Sequence, residues 1–150
     1  PFEHAVEMHR SIMNADLAKN FSGYYQRGRD KLSGTLCEMI EFGRKISAVD
    51  YNKAVDGREM LNSGLNDVFD HYDIIVTPAA AGEAPAGLRS TGNPVFNTLW
   101  TFCGTPSITL PLMEGPSGLP LGVQVVGPRG DDARLLRNAN WLMQHIIGNG

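Results

Sequence analysis

Asp73-Ile74-Ile75-Val76-Thr77-Pro78 decides the fold. Three β-branched residues in succession, bounded by Thr77 and Pro78, predict a strand buried on both faces. Immediately upstream the period is different. Ser47, followed three residues on by Asp50, resembles a capping box, and Ala54, Leu61, Leu65, Val68 and Phe69 recur at helical spacing almost to Tyr72. A long helix that feeds a buried strand is the signature of an α/β chain, here with helices packed on a mixed β-sheet.

Further toward the N terminus, Phe2, Ala5, Val6, His9, Ile12 and Met13 fall on one face of a first helix, with Gly23 expected to end it. A short helix around Leu36, Met39 and Ile40 stops at Gly43, a residue that reaches the left-handed cap conformation without a Cβ penalty. Downstream of the strand, Thr77 to Pro94 is too rich in Ala, Gly, Pro, Ser and Thr to fold alone and must lie as a loop over something else. Asn93 and Pro94 then open a brief helix that carries Phe96, Leu99, Trp100 and Cys103 and ends at Gly104. Ser107–Leu112 and Leu121–Val126 predict a hairpin-like strand pair, with Glu114, Gly115, Pro116, Ser117 and Gly118 as its polar turn. Asp131 or Asp132 opens a terminal helix striped with Leu135, Leu136, Ala139, Leu142, Met143 and Ile146. The organisation is therefore helical over residues 1–72 and sheet-bearing over 73–150. Three strands fall short of the roughly five or six of an average sheet, so the chain reads as one piece of a larger one, with Pro1 as a cut end.

Composition narrows the function classes. The 150 residues are 42% hydrophobic and 19% charged, which suits one soluble domain. A net charge of −3, with no run of five or six like charges, makes nucleic acid and anionic membrane poor partners. No apolar run approaches the roughly 18 residues of a membrane span. Cys37 and Cys103 lie far apart and outside any metal-ligand spacing, so they read as free thiols of a reducing compartment, with a cytoplasmic location expected. His4, His9, His71 and His145 form no metal-binding pattern, and no cofactor motif is present. There is no G-x-S-x-G elbow, no P-loop and no Gly-Gly or Ser-Ser pair. Ser117 reads as a turn residue, and Lys19, Lys31, Lys45 and Lys53 as solvated helix residues. No residue of the chain is assigned a catalytic role.

Several further blocks follow the strand in order. They are Ala84-Pro85, Thr91-Gly92-Asn93-Pro94-Val95-Phe96-Asn97-Thr98-Leu99-Trp100, Gly104-Thr105-Pro106 with Leu110-Pro111, and Gly118-Leu119-Pro120-Leu121-Gly122-Val123-Gln124-Val125-Val126-Gly127, ending with Asp132 and Leu135-Leu136. In this order and with these gaps they resemble the C-terminal part of the amidase signature family, over essentially the whole chain. The resemblance implies part of the larger amidase-signature α/β fold and a serine hydrolase that cleaves carboxylic amides to acid and ammonia or amine. In such an enzyme a Ser attacks the amide carbonyl, a Lys acting through a second Ser takes the proton, and backbone amides hold the oxyanion. The family's Gly-Gly-Ser-Ser-Gly loop and its Lys have no counterpart among these residues, so none of the triad carries over and the isolated chain is expected to be inactive.

What the resemblance leaves to this region is to complete the sheet and close one side of the substrate pocket. Asn97 and Trp100, three apart on the short helix, would share a face, the first bonding an amide and the second covering an apolar acyl group. Thr91 and Gly92, near the loop apex, would allow close approach of backbone to ligand. The plainer alternative makes Asn97 a loop cap and Trp100 core, and Gln124 is read as a buried structural hydrogen-bonding group outside the site. The expected partner is a small-molecule amide. Two other readings stand beside it. One is the amidotransferase A subunit, similar to the same family, which passes ammonia to an acylated tRNA. The other is a non-catalytic module whose exposed edges and apolar faces pair with a second copy or another protein.

Overall fold

A computed structural model describes residues 2–147. The chain divides into two compact units, residues 1–60 and 61–150.

The first unit is helical. It holds α1 (Ala5–Asn20), α2 (Ser22–Gly28), α3 (Gly34–Gly43) and the start of α4 (Ala48–Phe69). Helix α1 ends earlier than Gly23: Phe21 leaves helical geometry at φ −97° and ψ 5°, and Gly23 lies inside α2. Of the residues expected to share one buried face of α1, Ala5 is buried and Ile12 and Met13 are half-buried, while Val6 is exposed. Helix α3 starts from Ser33, whose hydroxyl accepts the Leu36 N–H at 3.3 Å. It does stop at Gly43, but not through a left-handed cap, because Gly43 is absent from the glycines of positive φ. Gly43 is buried against α1, and a Cβ there would overlap the Asn14 carbonyl and reach Ala18 Cβ at 3.0 Å. Its missing side chain is what lets α3 lie against α1. The Ser47–Asp50 box forms as read: the Asp50 N–H donates to Ser47 Oγ at 3.1 Å, and the Ser47 hydroxyl donates to Asp50 Oδ2 at 2.7 Å.

The second unit contains β1 (Ile75–Pro78), α5 (Val95–Cys103), β2 (Ser107–Glu114), β3 (Pro120–Val126) and α6 (Asp132–Ile147), after the end of α4. The α/β class is as expected, and the sheet expected to be mixed is antiparallel throughout its three strands, in the order β1-β3-β2. Strand β1 therefore lies at an edge of this sheet. It alternates half-buried Ile75 and Thr77 with exposed Val76 and Pro78, where burial on both faces was predicted. The predicted hairpin is β2–β3, with an irregularity between Leu110 and Met113.

Alternation along β3 gives the sheet two different faces. Val125 and Leu110 pack with Leu135 and Ala139 of α6, joined by Ile74, Ile108 and Leu112. Gly127, just past β3, stays bare because its Cβ would come within 2.9 Å of Leu135 Cβ. The opposite face carries Gln124, which reaches α5. Helix α5 begins as read, the Val95 N–H donating to Asn93 Oδ1 at 3.0 Å, and Gly104 closes it at φ 69°. Of the two aspartates proposed to open α6, Asp131 is the cap, accepting the Arg134 N–H at 3.0 Å. The Arg134 guanidinium donates to the Phe69 and Tyr72 carbonyls, each at 3.1 Å, and pairs with Asp73 at 3.2 Å. One side chain thus satisfies carbonyls at the end of α4 and fixes where the chain enters β1.

Candidate functional site

The second unit contains a cleft of about 600 Å³ bounded by the loop 79–94, the first turn of α5 and the start of β3. Its floor begins where β1 ends. The Ala79 N–H donates to the Gly122 carbonyl at 3.1 Å, which continues the β1–β3 pairing past Pro78. Gly122 admits that approach because a Cβ would overlap Thr109 Cγ2 and press on Ala79 Cβ at 3.1 Å.

The loop wall is held to the β2–β3 turn by Glu83, itself a lining residue. Its Oε1 accepts the Ser117 N–H at 2.8 Å and the Leu119 N–H at 3.4 Å, both from the β2–β3 turn. Hydrogen bonds from the Ser117 side chain first, then from the Ser117 amide and the Leu119 amide, hold this carboxyl below the usual carboxylate range.

The helix wall is set by a polar chain. Gln124, only 2% exposed, donates through Nε2 to Asn97 Oδ1 at 2.7 Å and accepts the Thr77 hydroxyl at 3.1 Å. Asn97 Nδ2 then donates to the Ala79 carbonyl at 3.5 Å. The Ala79 carbonyl settles the sense of this chain, since the reversed amide would set Asn97 Oδ1 against another acceptor. Asn97, a lining residue of the cleft, therefore has its oxygen and one N–H engaged, and the second N–H of its amide is the donor that remains.

Of the residues read as a site from sequence, Thr91, Gly92 and Asn97 line this cleft. Gly92 takes φ 93°, a conformation that favours glycine, and its N–H donates to Ser90 Oγ at 3.1 Å. Trp100 is not among the lining residues: it is 8% exposed, and its carbonyl accepts the Thr105 N–H at 3.1 Å and the Thr105 hydroxyl at 3.3 Å. The plainer reading of Trp100 as core describes its placement. Gln124, left outside the site, directs Asn97 from below; its signal was a lone amide in an apolar strand. Glu83 was missed, because its partners lie 34 and 36 residues away.

The lining is mostly small and apolar, and Glu83 is its one ionisable side chain among the described residues. That carboxylate is engaged with the backbone N–H groups of Ser117 and Leu119. Among the described residues no group of three His, Cys, Asp or Glu could hold a metal ion, and no helix is long and apolar enough to cross a membrane. Exchanging Gln124 for Leu keeps the bulk and removes both hydrogen bonds, so a loss of about 1–3 kcal/mol is expected. Urea unfolding measures it, and an unchanged midpoint would show that the Thr77–Gln124–Asn97 chain is incidental.

Comparisons with known proteins place the chain in a family and a fold. A family model described as Amidase matches residues 1–136, and the chain belongs to that family, the amidase signature family. It is similar to a 2-amino-5-chloromuconic acid deaminase of Comamonas testosteroni, 22% identical over 163 aligned positions that cover 99% of this chain and 34% of the relative. A putative amidase AmiD of Mycobacterium bovis is 29% identical over 134 positions, 83% of this chain and 28% of the relative. The A subunit of the glutamyl-tRNA(Gln) amidotransferase of Brevibacillus brevis is 31% identical over 97 positions, 60% of this chain and 20% of the relative. Among solved structures, an amidase superposes with a TM-score of 0.83 at 23% identity, over 97% of this chain and 36% of that one, which shows the fold. The chain spans about a third or less of the length of these relatives.

Proposed function

We propose that the protein carrying this chain hydrolyses carboxylic amides to an acid and ammonia or an amine, and that residues 79–97 form one wall of its substrate cleft. The observation that carries the reading is the Asn97 amide, turned by Gln124 to offer an N–H beside a small, apolar lining, in a chain of the amidase family. An amide is a poor electrophile, so its cleavage needs an activated nucleophile, preorganised donors for the developing oxyanion and a proton for the leaving amine. The sequence has no Gly-Gly-Ser-Ser-Gly stretch to supply them. In this reading the serine and its lysine-linked relay are carried on polypeptide outside these residues. The part left to this chain is to seat the acyl or amide portion and exclude water.

Two measurements test it. The 150-residue chain, treated with a fluorophosphonate probe and a simple aryl amide, is expected to show neither serine labelling nor turnover; stoichiometric labelling with turnover would contradict it. In the complete enzyme, Asn97→Ala is expected to raise KM about tenfold, the equivalent of about 1.4 kcal/mol of lost binding. An unaltered kcat/KM would remove Asn97 from the site. The likeness to an amidotransferase A subunit keeps one variant in play, in which the released ammonia is passed onward. Glutaminase activity that depends on a second protein would favour that variant.

A further inference from the structure

We infer that Glu83 is a positioning residue of the cleft: it clamps the loop wall to the β2–β3 turn, and substrate affinity follows the clamp. The kinetic half of this inference rests on the hydrolase reading above, while the clamp itself does not.

The loop 79–94 is tied near its start by the Ala79 N–H to the Gly122 carbonyl and at its end by Asn93 to Val95. Between those anchors its residues are mostly small and exposed, with little side-chain mass to bury. Glu83 is half-buried there and reaches across to the turn. The turn is shaped to receive it. Gly118 takes φ 77°, its N–H donates to the Gly115 carbonyl at 3.0 Å, and the Gly115 N–H donates to the Leu119 carbonyl at 2.8 Å. This closure aims the Ser117 and Leu119 amides at the same carboxylate oxygen, a small anion-receiving concavity of backbone N–H groups. Gly115 is buried, and a Cβ there would overlap the Glu83 side chain, so its bareness is part of the seat.

Hydrogen bonds from amides to an ionised carboxylate are roughly twice as strong as neutral ones. The clamp also bears directly on the cleft. Gly82 and Ala84, on either side of Glu83, line it from the loop, and Pro120, Leu121 and Gly122, leaving the turn, line it from the strand. Holding Glu83 to Ser117 and Leu119 therefore sets the separation of two of its walls.

The test uses the complete enzyme with Glu83→Ala and Glu83→Gln. Glutamine keeps an oxygen for the two amides and gives up the charge, so it should rescue in part. Hydrogen exchange of the amides over 79–94 and 115–119 is measured beside KM and kcat on an aryl amide. With alanine, loop exchange is expected to accelerate about tenfold or more and KM to rise about tenfold, with kcat within about threefold of the parent. Glutamine should fall between. Exchange unchanged in the alanine variant would overturn the clamp. Faster exchange at constant KM would overturn its link to affinity, and a collapse of kcat with unchanged exchange would make Glu83 a chemical group instead. Where alanine prevents folding, the glutamine variant carries both measurements. A parent enzyme without amide turnover would sink the hydrolase reading, whereas the exchange result would still decide the clamp.

Discussion

Alanine at Gly43 is expected to destabilise the helical unit by about 3 kcal/mol or more, at the upper end of what overpacking costs. The added methyl would meet the Asn14 carbonyl of α1, a backbone atom that no rotamer change can move aside. Alanine has the better helix propensity by roughly 1 kcal/mol, so a purely local account of Gly43 expects a gain. The sign of the effect therefore separates the two accounts. Urea unfolding of the protein, followed by the helical signal, reads it directly; a midpoint equal to or above the parent's would mean that α1 and α3 are not in backbone contact at this point.

Leu135→Ala should cost about 2–5 kcal/mol, as expected for a large-to-small change at a site that cannot collapse. Leu135 is 3% exposed in the cluster with Leu110, Val125 and Ala139, and its Cβ also stands over bare Gly127. Neighbours on the sheet are fixed by strand pairing and cannot close around the void. Leu136, one position on, is 56% exposed, and its replacement by alanine should stay within about 0.5 kcal/mol. Equal losses from the two variants would contradict the placement of α6 on the sheet.

What the sequence made legible was local. Ser47 with Asp50, Asn93 before α5, Gly104 after it and Asp131 before α6 act on backbone groups within three residues, so spacing alone finds them. The hairpin is legible for the same reason. Gly43 was misread because a glycine ending a helix looks the same whether it supplies a left-handed cap or a flat contact, and only the position of Asn14 distinguishes them. The half-exposure of β1 follows from its place at an edge of the sheet, a property of strand order and not of the Ile-Ile-Val run. In the site, Asn97 was read from its chemistry on a short helix, but the group that aims it lies 27 residues away. Trp100 shows the limit of i, i+3 reasoning: a side chain three positions on is about 60° away around the helix, enough here to pass from the cleft rim into the core.

The pairing of Thr77 with Gln124 also pins the strand alignment. Because side chains alternate along a strand, sliding β1 by a single residue would bring Val76 or Pro78 to the place that Thr77 holds. Neither can donate to the Gln124 oxygen, and Asn97 would lose the chain of bonds that begins at that hydroxyl. This bond adds to the Arg134 anchor before the strand and the Ala79–Gly122 bond after it in choosing one alignment over the next. A threonine and a glutamine thus act as a locating dowel, and the same two residues that aim the wall of the cleft keep its floor from slipping.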